Sequence, residues 1–212
     1  MSKIKFILFV LILALFGCNK TPDVQPEKEV ASPAPAPEPK LTPVQEAVIN
    51  LAQTKSLEKA VGISTPFMED THNDYSMGTI LFATWASEFL MWDMLEKIPD
   101  NKRVEIMKDP QAFRGMKLCS RGSIVQIRAD RSFGKVVYDG ILSVGWGGYI
   151  SFIATGSTAG INENTGGVNF CGIVSGARSY NNSGGGTTHS LAVVGMFDIQ
   201  ENNPNYKNYQ SY

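Results

Sequence analysis

Histidine is scarce in this chain: His72 and His189 are the only two among 212 residues. They lie in different halves, with no carboxylate or cysteine at metal-ligand spacing, which argues against a zinc centre. Glu69, Asp70 and Asp74 surround His72 and read as a solvated acidic loop. An excess of charge of either sign is also missing. Nineteen Lys/Arg face twenty Asp/Glu, which argues against a dedicated nucleic-acid binder. No apolar run reaches the roughly 20 residues that span a bilayer. The motifs of common active sites are missing too. Thr155-Gly156-Ser157-Thr158-Ala159-Gly160 lacks the glycine two places before serine that a nucleophile elbow requires. Gly184-Gly185-Gly186-Thr187 has neither the Lys-Ser/Thr nor the following helix of a phosphate loop, and reads as a strand connection.

What is present begins at the N-terminus. Lys3 and Lys5 precede an unbroken apolar run, Phe6 to Phe16, and Gly17 puts a small residue before Cys18. This is the layout of a secretory signal over residues 1–17. The tetrad Leu15-Phe16-Gly17-Cys18 resembles the bacterial lipobox, with Phe16 larger than is usual at its position. The resemblance implies cleavage before Cys18 and acylation of that residue, so that the first partner is the lipid bilayer. Asn19 is not the aspartate that retains lipoproteins in the inner membrane, which implies the outer membrane. Residues 18–42 then form a tether. Prolines 22, 26, 33, 35, 37 and 39 alternate with Ala, Glu and Lys, and the stretch has almost nothing to bury.

A helical region is expected over residues 43–107. Thr42-Pro43-Val44-Gln45 carries an N-cap, a first-turn proline and a capping-box glutamine. Val44, Ala47, Val48, Leu51 and Ala52 follow at helical spacing, with a break expected at Gly62 and an end before Thr65-Pro66. A second helix is expected from Ser76 to Lys97. It is apolar on two faces, which suits burial between two layers, and Glu88 and Asp93 within it oppose a membrane location. From Val44 to Met107 five Lys/Arg stand against ten Asp/Glu, and from Lys108 onward nine against six. This division reads as complementarity between an acidic helical part and a mildly basic remainder.

Over residues 108–199 the texture changes to short β-rich runs marked off by glycine. Strands are expected at Lys117–Ala129, Lys135–Leu142, Tyr149–Thr155, Asn169–Tyr180 and Thr188–Asp198. Gly122 is expected to mark a bulge in the first. This order of elements resembles the OB-fold, although the Gly156–Val168 connection lacks the usual helix. The resemblance implies an α+β chain with the helical part packed on a small five-stranded barrel, followed by a polar disordered tail over residues 200–212. It also makes the first and fourth strands antiparallel neighbours, bringing Cys119 and Cys171 within bonding range; two buried free thiols are the other possibility.

OB-type barrels bind through the face of strands two and three and through the loops joining strands 1–2 and 4–5. The resemblance therefore nominates Arg128, Arg131 and Phe133, with Tyr180, Asn181, Asn182 and His189, as residues that stack on sugars or bases. A ligand cavity would open beside Trp146 and Tyr149, and a filled barrel interior would count against it. An enzyme would need a pocket converging on His189 with a nucleophile nearby. The expectation is a lipid-anchored, non-enzymatic interaction or structural module with an envelope protein partner, no cofactor and no nucleic acid. Ligand binding and single-strand binding are the alternatives.

Overall fold

The helical part starts where its capping residues say it should. Gln45 N–H donates to Thr42 Oγ1 (3.3 Å), and Thr42 N–H donates back to Gln45 Oε1 (2.8 Å). Together they open α1, Pro43–Gln53. The computed structural model describes residues 40–145 and 148–200. The expected leader, Cys18 and the tether up to Pro39 lie outside these residues, as do Trp146 and the chain from Glu201 on.

The first helix breaks at Thr54–Ser56 rather than at Gly62. Ser56 N–H donates to Thr54 Oγ1 (3.1 Å) and Lys59 N–H to Ser56 Oγ (3.4 Å), which caps a new helix, α2, Leu57–Ser64. These short hydroxyl side chains compete with the helical ladder for backbone groups, and here they win. A 3₁₀ turn, Thr65–Phe67, leads to a two-residue strand β1, Thr71–His72, which the sequence did not announce.

The expected long helix is two: α3, Met77–Phe89, and α4, Trp92–Glu96. Leu90 and Met91 between them are extended. In a continuous helix Leu90 and Trp92 would point to opposite sides; the break lets both sink into one core with Leu95. A short α5, Arg103–Lys108, follows. Among the described residues no helix is long and apolar enough to cross a membrane. Glu88 meets Lys135 (2.9 Å) and Asp93 meets Lys97 (3.1 Å).

The remaining strands are β2 (Lys117–Asp130), β3 (Val137–Ser143), β4 (Tyr149–Ala154), β5 (Val168–Asn181) and β6 (Thr187–Phe197). With β1 they make a six-stranded sheet, so the protein is α+β. Antiparallel pairing joins β2 to β3, β3 to β4, β5 to β6 and β2 to β5, while β4 and β6 run parallel. The pairings of β2 to β6 therefore return on themselves as a ring. The long strands β2 and β5 serve two neighbours each by halves. Residues 117–122 of β2 pair with β5 and residues 123–130 with β3.

Gly122 stands at that handover, in regular register with Val168, and the bulge lies at Val125 instead. A Cβ at Gly122 would come within 2.3 Å of Ser143 O, so the glycine is there for close approach of β3. The β4–β5 connection contains turns and no helix.

Two cores lie on opposite sides of the strand wall. On one, Phe152, Phe170 and Phe197 contact one another with ring centroids 5.1–5.4 Å apart. They are fully buried with Leu118, Ile124 and Ile150. On the other, α1 to α4 pack Leu51, Leu81, Phe82 and Trp85 against Val137, Ile153, Ile173 and Val194. Burial on both faces of β4, β5 and β6 explains their near-continuous apolar composition. Gly172 and Gly195 are register partners, and a Cβ on Gly195 would lie 2.0 Å from Cys171 O.

Cys119 and Cys171 are directly opposed across β2 and β5, with Cα atoms 4.1 Å apart, and form a disulfide. The bond closes a separation of 52 residues, for which chain entropy gives about 4 kcal/mol. Replacing both cysteines by alanine should lower unfolding free energy by about 2–4 kcal/mol in urea titration. An unchanged midpoint would show that the ring holds without the bond.

Candidate functional site

Alternation along a strand puts Arg178 and Tyr180 of β5 on one face, with Arg128 and Gln126 of β2 and Asp139 and Ile141 of β3 on the continuation of that face. They border a groove of about 610 Å³. Its other walls are Asn73 after β1, Tyr149 at the start of β4, and Asn181–Ser183 with Thr188 from the β5–β6 hairpin. The Val125 bulge turns that side chain into the groove as well.

Within it, Arg128 donates from Nε and Nη2 to both oxygens of Asp139 (2.8 and 3.1 Å), a fork that keeps its guanidinium charged. Arg178 is held differently. Its guanidinium carbon lies 4.2 Å from the centre of the Tyr75 ring, and Nε and Nη2 donate to the backbone oxygen of Asn73. Among the described residues no carboxylate pairs with it. Burial pushes the Tyr75 phenol far above its ordinary value, so the ring under Arg178 stays neutral. Burial also raises the Tyr180 phenol, helped by neighbouring Tyr149. Behind these groups Ser151 Oγ and Ser190 Oγ lie 2.8 Å apart, and Ser190 Oγ donates to Arg178 O (3.0 Å).

The groove collects Arg128, Tyr180, Asn181 and Asn182 from the sequence candidates. Asn182 shapes the hairpin, because Oδ1 accepts from Gly184 and Gly186 N–H and Nδ2 donates to Thr188 Oγ1. The other three candidates lie elsewhere. Arg131 is exposed in the β2–β3 turn, outside the groove lining. Phe133 is a core residue under α3, with its carbonyl accepting from Ser87 Oγ (3.0 Å). Turn residues are usually exposed, but this turn folds back onto α3.

His189 lines a shallower cavity of about 310 Å³ with His72 and Ser179. There His72 Nδ1 lies 2.9 Å from Ser179 Oγ, and that hydroxyl also reaches Thr71 O (3.4 Å). Among the described residues no third side chain is bonded to the His72 ring, as an activated nucleophile pair would require. Gln200, read with the polar tail, is buried instead and closes onto Ser157 through both ends of its amide. Tyr149, expected beside a ligand cavity, lines the groove; Asp139, Gln126 and Arg178 were not named from sequence, and the i, i+2 spacing of Arg178 and Tyr180 was the available signal.

A strap of chain separates the two cavities, and Asp70 fastens it. The carboxylate accepts from Ala177 N–H (2.8 Å), Arg114 Nη2 (2.8 Å) and Gln111 Nε2 (3.1 Å). Among the described residues no three His, Cys, Asp or Glu side chains gather as a metal site. The site is therefore an open polar groove with aromatic walls and one guanidinium lacking an acidic partner, on an α+β scaffold. No protein-family model matches this chain, and no curated protein or solved structure matches it either.

Burial works to raise the Asp70 carboxyl, but Ala177 N–H, Arg114 and Gln111 outweigh it and hold it below the usual carboxylate range. A lowered folded-state pKa stabilises the fold above the unfolded value of about 3.9, and the contribution is lost as pH falls through the folded value. Asp70→Asn should cost about 1 kcal/mol at pH 7, a modest figure because the pair is partly solvated. The gap from wild type should shrink below about pH 4, as read from urea midpoints across pH.

Proposed function

We propose that this chain is a lipid-anchored envelope lipoprotein whose ring of strands is an OB-type barrel, and that it acts by binding a ligand in the groove outside that ring. The anchor reading rests on the leader and on Leu15-Phe16-Gly17-Cys18 alone. One acyl chain holds a protein only marginally in a membrane, so the several chains of a lipoprotein cysteine supply a firm attachment. An outer-membrane address follows from Asn19.

The barrel reading is supported by the ring order β2-β3-β4-β6-β5, with the first and fourth strands antiparallel neighbours and the third and fifth parallel. The observation that carries the binding reading is a coincidence of place. The groove lies over the first and second strands of the ring, takes Tyr149 from the start of the third, and abuts the hairpin joining the fourth and fifth; the second strand and that hairpin are among the parts through which OB-type barrels take ligands. The Phe152, Phe170 and Phe197 packing fills the other side, which counts against a ligand inside the ring. Among the described residues the groove's lining contains no histidine or cysteine, and its carboxylate, Asp139, is tied to Arg128. Binding suits this chemistry better than catalysis.

Cys18→Ser should move the full-length protein from the membrane to the soluble fraction after cell breakage; membrane retention would overturn the anchor. A photocrosslinking residue at position 141, in the groove, should form an adduct in intact cells that one at position 131 does not. Equal labelling, or none at 141, would overturn the groove as the binding surface.

A further inference from the structure

We propose that the groove takes an acidic oligosaccharide and that Arg178 seats its carboxylate, an inference that rests on the groove being the ligand site. The first argument is charge. Arg128 is neutralised by Asp139 and Arg114 by Asp70, leaving Arg178 as the guanidinium of this region without an acidic partner. Its charge is half-buried between Tyr75 and the Asn73 carbonyl. The Asn73 carbonyl oxygen takes Nε–H and one Nη2–H, which leaves further guanidinium N–H groups of a side chain that lines the groove. A planar guanidinium matches a carboxylate in a bidentate pair. A single uncompensated cation suits one negative charge better than the nearly doubled charge of a phosphate monoester.

The second argument is the lining. Gln126, Asn181 and the Arg128–Asp139 pair offer planar donors and acceptors beside Tyr149 and Tyr180, while Val125 and Ile141 are the main aliphatic surface. This mixture suits hydroxyl-rich rings with apolar faces. An extended peptide would need an unpaired strand edge, but β3 and β4 are each paired on both sides. A nucleic-acid strand would need a continued basic track, and among the described residues the groove is lined by two guanidinium groups, of which Arg128 is paired with Asp139.

Full-length protein in detergent, titrated calorimetrically with tetragalacturonate and with its carboxyl-reduced tetrasaccharide, tests this. The acidic sugar should bind about ten- to a hundredfold more tightly than the neutral one. Arg178→Gln should erase that difference, and Arg131→Gln, removing a cation outside the groove, should keep it. The wild-type comparison of two sugars is independent of any effect of Arg178→Gln on folding. Equal affinity for both sugars would overturn the role of the carboxylate while leaving the groove as a sugar site. Binding that persists in Ile141→Trp, which fills the groove, would overturn the groove itself. Absence of binding to either sugar would overturn the acidic-sugar assignment, with groove labelling at position 141 deciding separately whether another ligand class uses the site.

Discussion

The fourteen-residue strand β5 keeps β6 along one edge but cannot keep a single partner along the other in a strongly curved sheet, so it has three neighbours. Its first half lies between β2 and β6; its second half lies between β1 and β6. The exchange happens at a bulge between Val174 and Gly176, where Ser175 drops out of register. The extra residue is not left idle. Ser175 Oγ accepts from Thr79 Oγ1 (2.8 Å), lies 3.2 Å from Ala192 O, and so fixes the start of α3 to the sheet. Where β2 peels away, the exposed edge of β5 would be an invitation to strand addition, and β1 covers it. The disulfide fastens the half that closes the ring; Asp70 fastens the half that has left it.

This partition decides where a ligand can go. Strands β4 to β6 are apolar on both faces because one face packs the phenylalanine cluster and the other packs the helices. The helices do not extend over the whole outer surface. Beyond their reach, the same face of the wall changes from Val137 of β3, Ile153 of β4 and Ile173 of β5 to Gln126 of β2, Asp139 of β3, and Arg178 and Tyr180 of β5. The groove is therefore the part of a helix-covered wall that the helices leave bare. Polar composition there is a requirement of solubility before it is a requirement of recognition. What goes beyond solubility is the local choice of residue, with two tyrosines and a guanidinium held over a third.

The five strands of the ring were readable within about two residues because alternation and glycine-marked turns are local signals. The Thr42 cap and the Cys119–Cys171 pairing were legible too, the second only through a topology that set two distant strands side by side. What escaped notice depends on tertiary contact. Thr54 and Ser56 break a helix whose apolar spacing would carry on through them, and Trp85 Nε1 donates to the Thr54 carbonyl that the break releases (2.8 Å). β1 is too short to announce itself, and it exists because β5 needs an edge partner. Phe133 sits in a polar turn and yet belongs to the core. Face membership in the groove could not be counted from the turn residues, because the bulges at Val125 and Ser175 each shift the parity of everything beyond them.

The division of charge along the chain has the same logic. The acidic helical part and the basic strands meet in specific pairs, Glu88 with Lys135 and Asp70 with Arg114, and in Cys119 N–H donating to Asp100 Oδ1 (2.9 Å). Exposed pairs of this kind add little stability, but they consume charge, and among the described residues Arg178 lines the groove without a carboxylate partner. Arg178 sits within reach of the helical part, since Tyr75 and Asn73 both precede α3, yet it receives a π face and a carbonyl from that segment instead of a carboxylate. Those partners orient the guanidinium without neutralising it. A carboxylate in their place would have satisfied the charge, so the preference for an acidic ligand that we propose for the groove follows from which partner the β1 strap supplies.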